Sequence, residues 1–80
     1  MSAREGLAAA AAGVEQALTD LRGQVQEQEG LVEAAEFGPH GQADRIQAES
    51  ERLDRLQELV ERLVSAAEDL REIAGELEAL

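Results

Sequence analysis

The chain has 80 residues, a net charge of −11 at neutral pH and one aromatic residue, Phe37. Eighty residues form one domain at most, near the size at which a single hydrophobic core stabilises a fold only marginally. The acidic balance argues against partners that are nucleic acids or anionic membrane surfaces. The longest apolar run, from Leu7 to Ala12, is also too short to cross a bilayer, so we expect no membrane insertion.

The first predicted element is a helix over residues 3–36. Ser2 and Glu5 have the spacing of a capping box, in which the serine hydroxyl accepts a hydrogen bond from the Glu5 amide. Apolar residues then recur at alternating steps of four and three, which places them in one stripe along the helix. The stripe, interrupted only by Gln28, comprises Leu7, Ala11, Val14, Leu18, Leu21, Val25, Val32 and Ala35, and Ala3, Ala10, Ala17 and Leu31 widen it along one flank.

A turn is predicted next, at residues 37–41, where Phe37, Gly38 and Pro39 follow the helical pattern. Glycine accepts the left-handed conformation that ends many helices, and proline cannot extend a helix. His40, the lone histidine, also lies in this turn. It has no neighbour at the spacing of a helical metal site, so we expect an exposed turn residue and not a metal ligand.

The second predicted helix covers residues 42–79 and repeats the pattern of the first. Its stripe, interrupted only by Glu49, comprises Ile46, Leu53, Leu56, Val60, Leu63, Ala67, Leu70, Ala74 and Leu77, flanked by Leu59, Ala66, Ile73 and Leu80. Two such helices around one turn predict an all-α fold, a coiled-coil-like antiparallel two-helix hairpin that occupies residues 1–80 as a single domain.

When the hairpin folds at its turn, the residue numbers of two facing positions add to roughly 77–81. If that sum is close to 77, Gln28 and Glu49 face each other in the same layer of the seam. A buried polar layer costs stability and can fix register and partner choice. The alternative is that both residues lie where the seam is already wet, near the turn, and the sequence leaves these two interpretations open.

Each apolar stripe fills three of seven positions, which is wider than the seam of a simple two-helix pair. We therefore expect another helical protein chain to cover the excess, so that a four-helix bundle forms by homo- or hetero-oligomerisation. The residues predicted to carry this partner interface are Leu18, Leu21, Leu53, Leu56, Val60, Leu63 and Leu70, with Gln28 and Glu49 as a specificity layer.

No residue pattern indicates catalysis. The carboxylate clusters, such as Glu27 with Glu29 and Glu33 with Glu36, fall on outward helix faces, whereas a general acid needs a dry pocket. Ser50 has no histidine at an activating spacing. We therefore expect no enzyme activity, no catalytic residue, no cofactor and no metal.

A short, acidic, cysteine-free hairpin with an alanine-rich first helix and an aromatic residue beside glycine in its turn resembles the WXG100 (ESAT-6-like) proteins of type VII secretion. Phe37-Gly38 carries the resemblance in motif; the family's turn is Trp-x-Gly, and its C-terminal Tyr-x-x-x-Asp/Glu signal has no counterpart here. The resemblance implies a dimeric four-helix bundle that is exported or escorts an exported partner.

The sequence thus favours a non-catalytic interaction module that acts as an adaptor, escort or scaffold. A WXG100-like secretion substrate or secretion partner is the first alternative, and an antitoxin or phage assembly component is the second. The expected location is the cytoplasm, or alternatively the exterior by a route without a cleaved signal peptide, because the alanine-rich N-terminal stretch lacks a cationic leader region.

Overall fold

A computed structural model of the chain describes residues 2–38 and 43–80. Helix α1 spans Ala3–Glu36 and helix α2 spans Ala43–Ala79, and these two described stretches contain no strand. The predicted all-α fold built from two long helices is confirmed. Pro39, His40, Gly41 and Gln42, which the sequence assigns to the turn and the start of the second helix, lie outside the described residues.

Local hydrogen bonds define both ends of α1. Ser2 has extended backbone angles, and its side-chain oxygen accepts a hydrogen bond of 3.2 Å from the Glu5 amide, which is the first of the two bonds of the predicted capping box. At the other end, the Phe37 amide donates to Glu33 O at 3.1 Å and the Gly38 amide donates to Ala35 O at 3.3 Å. These bonds satisfy carbonyl groups that the helix itself leaves without partners.

The two helices pack side by side along their whole length, in opposite directions, in a body that measures 62 by 14 by 13 Å. Among the residues that the structure describes, only Leu18, Ala35, Ala67 and the polar Gln28 are buried, and no large side chain is below 2 % exposure. The hairpin therefore has a thin core, as expected for an isolated pair of helices.

Candidate interaction surface

The seam between the helices consists of the two predicted stripes. Leu18 is 9 % exposed and Ala67 is 4 % exposed, and most of the remaining stripe residues are half-buried. All seven residues predicted to carry a partner interface lie in this seam, six of them half-buried and Leu18 buried. Their first role is to hold α1 against α2, and their contribution to a partner interface stays a prediction.

Gln28 and Glu49 form the polar layer that the register predicted. Gln28 is 3 % exposed, and its Nε2 donates to the backbone oxygen of Glu49 at 2.9 Å and also to the Glu49 carboxylate. Sliding one helix along the other would bury the Gln28 amide without these acceptors, at a cost of about 1–3 kcal/mol. The layer therefore sets the register within the hairpin, and its role in partner choice stays a prediction.

The surface beside the seam divides into two sides. With the seam residues at heptad positions a and d, positions g and c lie on one side of an antiparallel hairpin, and positions e and b lie on the other. The structure shows one feature on each of these two sides. An ion pair joins Glu15 to Arg71, both at e positions, and a groove on the opposite side is lined by Gln24, Leu31 and Arg52, all at g positions.

One of the two sides holds the large exposed apolar residues of the helix bodies. Leu31 is 43 % exposed, Leu59 is 38 % exposed and Ile73 is 45 % exposed, and all three occupy g positions. A groove on this side is lined by Leu21, Leu59, Arg62 and Leu63. The small residues of the same side are Ala3, Gly6, Ala10, Gly13, Ala17, Ala34, Ala48 and Ala66. The excess apolar width predicted from the sequence therefore falls on one side of the hairpin.

The two sides also differ in charge. Cations and anions on the apolar side balance, and all of them are exposed: Arg45, Arg52, Arg55 and Arg62 against Asp20, Glu27, Asp69 and Glu76. The whole net charge of −11 consequently lies on the rest of the molecule. We call the g and c positions the neutral side and the e and b positions the acidic side.

The acidic side offers little that could hold a partner tightly. Its ion pair between Glu15 and Arg71 is exposed, at 47 % and 60 % for the two side chains, so that it contributes at most about 1 kcal/mol. A groove near the middle of the hairpin is lined mainly by polar residues, and a groove at the open end combines four alanines with charged residues such as Glu15 and Arg71. Both features are typical of a solvated exterior.

The carboxylate clusters singled out in the sequence are exposed. In the described part of the chain, no group of three or more histidine or acidic side chains has a geometry that could hold a metal ion. Neither α1 nor α2, over the ranges given above, is long and apolar enough to cross a membrane.

No protein-family model, no curated protein and no solved structure matches the chain. A function must therefore be argued from the surfaces themselves. The neutral side combines exposed aliphatic residues, arginines and a low net charge, and protein interfaces share these features.

Proposed function

We propose that this chain is a non-catalytic protein–protein interaction module, a helical hairpin whose neutral side binds another helical chain to complete a four-helix bundle. The observation that carries the proposal is the concentration of exposed leucine and isoleucine on a single side of a hairpin with a thin core. Its role is that of an adaptor, escort or scaffold, since the chain acts through what it holds.

The exposed fractions of the apolar side chains set the free energy that a partner on the neutral side would gain. Burying an aliphatic side chain completely is worth about 1.5–3 kcal/mol, so covering the remaining 38–45 % of Leu31, Leu59 or Ile73 is worth about 1 kcal/mol for each. A partner on the neutral side also covers the exposed edges of half-buried seam residues such as Leu21 and Leu63. These seam residues would thus serve both the hairpin and the partner interface.

Paired substitutions test the proposal. Leu59→Gln with Ile73→Gln removes the apolar character of the neutral side, whereas Val64→Gln changes a half-buried apolar residue of the acidic side as the matched control. Sedimentation equilibrium and circular dichroism melts over a roughly hundredfold range of protein concentration report association. We expect the neutral-side variant to lose association that the control retains.

The proposal also predicts the behaviour of the unmodified chain. Either its melting temperature rises with concentration, or the monomer alone is incompletely helical and melts without cooperativity. A monomer that melts cooperatively at the same temperature at every concentration would need no other chain to complete it, and this result would refute the proposed function.

A further inference from the structure

We infer that the chain which binds the neutral side presents an acidic amphipathic helix to α2, with aliphatic side chains that enter two grooves and carboxylates that face four arginines. This inference rests on the proposed function and adds the chemical class of the partner. The placement of the arginines, the composition of the two grooves and the charges farther along α2 support it.

Arginines are concentrated on the part of the neutral side that lies nearest the turn. Four of the seven cations of the chain lie between residues 45 and 62 of α2, at its g and c positions, and all four are exposed. The e, b and f positions of the same stretch contain no cation. We call these four residues the arginine stripe, which comprises Arg45, Arg52, Arg55 and Arg62. The stripe is about 26 Å long at 1.5 Å per residue.

The hairpin itself does not engage the arginine stripe. In the described part of the chain, the structure shows a single ion pair, which joins Glu15 to Arg71 on the acidic side. Glu27 lines the same groove as Arg52 but forms no ion pair with it. The guanidinium groups of the stripe are therefore available to carboxylates of another chain, which arginine binds with two parallel hydrogen bonds.

Two grooves of the neutral side each combine leucines with one arginine of the stripe. The groove near the middle of the hairpin is lined by Leu21, Leu59, Arg62 and Leu63. The groove nearer the turn is lined by Gln24, Glu27, Gln28, Leu31, Arg52 and Leu56. An amphipathic helix places aliphatic side chains in grooves of this kind, and a carboxylate one turn away on that helix reaches the arginine beside the groove.

The distance between the grooves sets the spacing of the residues that a partner needs. Arg52 and Arg62 are ten residues apart, which is about 15 Å along α2. Ten to eleven residues make about three turns of a helix, so a partner helix that runs along α2 turns the same face to both grooves. We therefore expect the partner to carry two clusters about three turns apart, each with an aliphatic residue and an acidic residue.

The acidic part of the partner is expected to end where the arginine stripe ends. Beyond Arg62, the charged residues of the neutral side on α2 are Asp69 and Glu76. These two acids repel a carboxylate, so the partner helix is neutral or basic where it lies over them. The other two acids of the neutral side, Asp20 and Glu27, lie on α1, across the seam from the stripe.

A second copy of this chain matches the arginine stripe incompletely. Full antiparallel overlap of two copies about the middle of α2 sets acids opposite Arg45 and Arg52 only. Arg55 and Arg62 then lie opposite an alanine and a leucine. Full parallel overlap sets the acids of α1 over arginines, but it moves the acids of α2 over alanine and glycine, where they lose solvent without gaining a cation. A separate acidic helix has neither mismatch.

Two synthetic peptides test the inference. Both have leucine at the a and d positions of three heptads, and as helices of about 21 residues they span about 31 Å, enough to cover the stripe. The acidic peptide has glutamate at its e and g positions, and the basic peptide has lysine there. Like charges at these positions keep each peptide from pairing with itself.

Binding of each labelled peptide to the full chain is measured by fluorescence anisotropy. In about 0.15 M salt, exposed charges more than roughly 8 Å apart are largely screened, so that contacts near the peptide decide its affinity. We expect the acidic peptide to bind roughly tenfold or more tightly than the basic peptide, although the net charge of −11 favours the basic one. Equal binding of the two peptides, or tighter binding of the basic peptide, would overturn the inference.

Charge reversal shows where the peptide binds. Arg52→Glu with Arg62→Glu should weaken binding of the acidic peptide roughly tenfold or more and strengthen binding of the basic peptide. The matched control is Arg4→Glu with Arg22→Glu, which makes the same change in net charge at exposed positions outside the neutral side. It should leave binding of the acidic peptide within about twofold of the unmodified chain.

Circular dichroism records the helicity of both double variants, and the gain in binding of the basic peptide shows that the stripe variant still folds. Equal losses in the two double variants would assign the binding to net charge and overturn the role of the arginine stripe.

The outcomes also separate this inference from the proposed function. Binding of the basic peptide that Leu59→Gln with Ile73→Gln abolishes would overturn only the acidic character of the partner. Self-association of the unmodified chain that excludes the acidic peptide would make a second copy the occupant, and it would also overturn this inference alone. A chain that binds neither peptide and is a cooperative monomer with a concentration-independent melt would overturn both.

Discussion

The polar layer formed by Gln28 and Glu49 can be measured with a double-mutant cycle. Gln28→Leu, Glu49→Leu and the double variant are compared with the unmodified chain at one fixed protein concentration, because association shifts the melt. A hydrogen bond to a charged group is worth about 1.5–3 kcal/mol in a buried setting. Gln28 is 3 % exposed but Glu49 is only half-buried, so we expect their coupling to be about 1–2 kcal/mol.

The double variant should be more stable than the unmodified chain by about 1–3 kcal/mol, because two leucines replace a polar pair in the seam. For a domain of this size each kcal/mol raises the melting temperature by about 4–8 °C, which circular dichroism resolves. The variant also loses the layer that distinguishes registers, so we expect additional amide resonances in its NMR spectrum.

The matched control for this cycle is Gln26 with Gln57, two exposed residues that line one groove on the acidic side. Leucine at both should give a coupling below about 0.5 kcal/mol. A coupling equally small at Gln28 and Glu49, or a double variant less stable than the unmodified chain, would refute the role assigned to the polar layer.

Three further predictions follow from burial and free space. Leu18→Ala should lower the free energy of unfolding by about 2–4 kcal/mol, because Leu18 is buried in the seam. Thr19→Ala, at the exposed neighbouring residue, should change it by less than about 0.5 kcal/mol. Equal losses for the two variants in urea melts would contradict the prediction. Gly23→Ala and Gly30→Ala should each raise stability by about 0.5–1 kcal/mol, since a Cβ at either position meets no atom within 4 Å, and a lowered melting temperature would contradict it. Gly13→Trp should weaken association measured by sedimentation while Gly23→Trp does not, because only Gly13 lies on the neutral side; equal effects would contradict the docking face.

The two helices and their pairing could be predicted because each depends on local signals. The four-and-three spacing of apolar residues fixes which face of each helix is buried, and Ser2 and Gly38 mark the ends of α1. Once the turn is placed, the register follows from counting residues back from it, and this count brings Gln28 opposite Glu49 as the structure shows.

The sidedness of the hairpin was harder to obtain from the sequence. The spacing of the apolar residues places Leu56 in the stripe and Leu59 on its flank, but it does not show how far the hairpin covers each side chain. Leu56 and Leu59 have the same side chain, yet Leu56 is half-buried in the seam and Leu59 is exposed beside it. The sequence therefore predicts that seam leucines carry the partner interface, whereas the large exposed apolar residues of the helices lie beside the seam, at g positions. The signal in the sequence that could have identified this side is the placement of four arginines, Arg45, Arg52, Arg55 and Arg62, at g and c positions.

The separation of charge favours the neutral side over the acidic side as the place where a further chain would bind. Each copy carries its net charge of −11 away from the neutral side, so the acidic surfaces of two copies repel each other in every arrangement that brings them together. The neutral side does not contribute to this repulsion, because its four positive and four negative charges balance. A partner on the neutral side would cover its exposed leucines and isoleucine and leave exposed the surface that carries the net negative charge. Under the proposed function, this acidic remainder would oppose further association, whereas an apolar stripe without this charge pattern would continue to recruit chains.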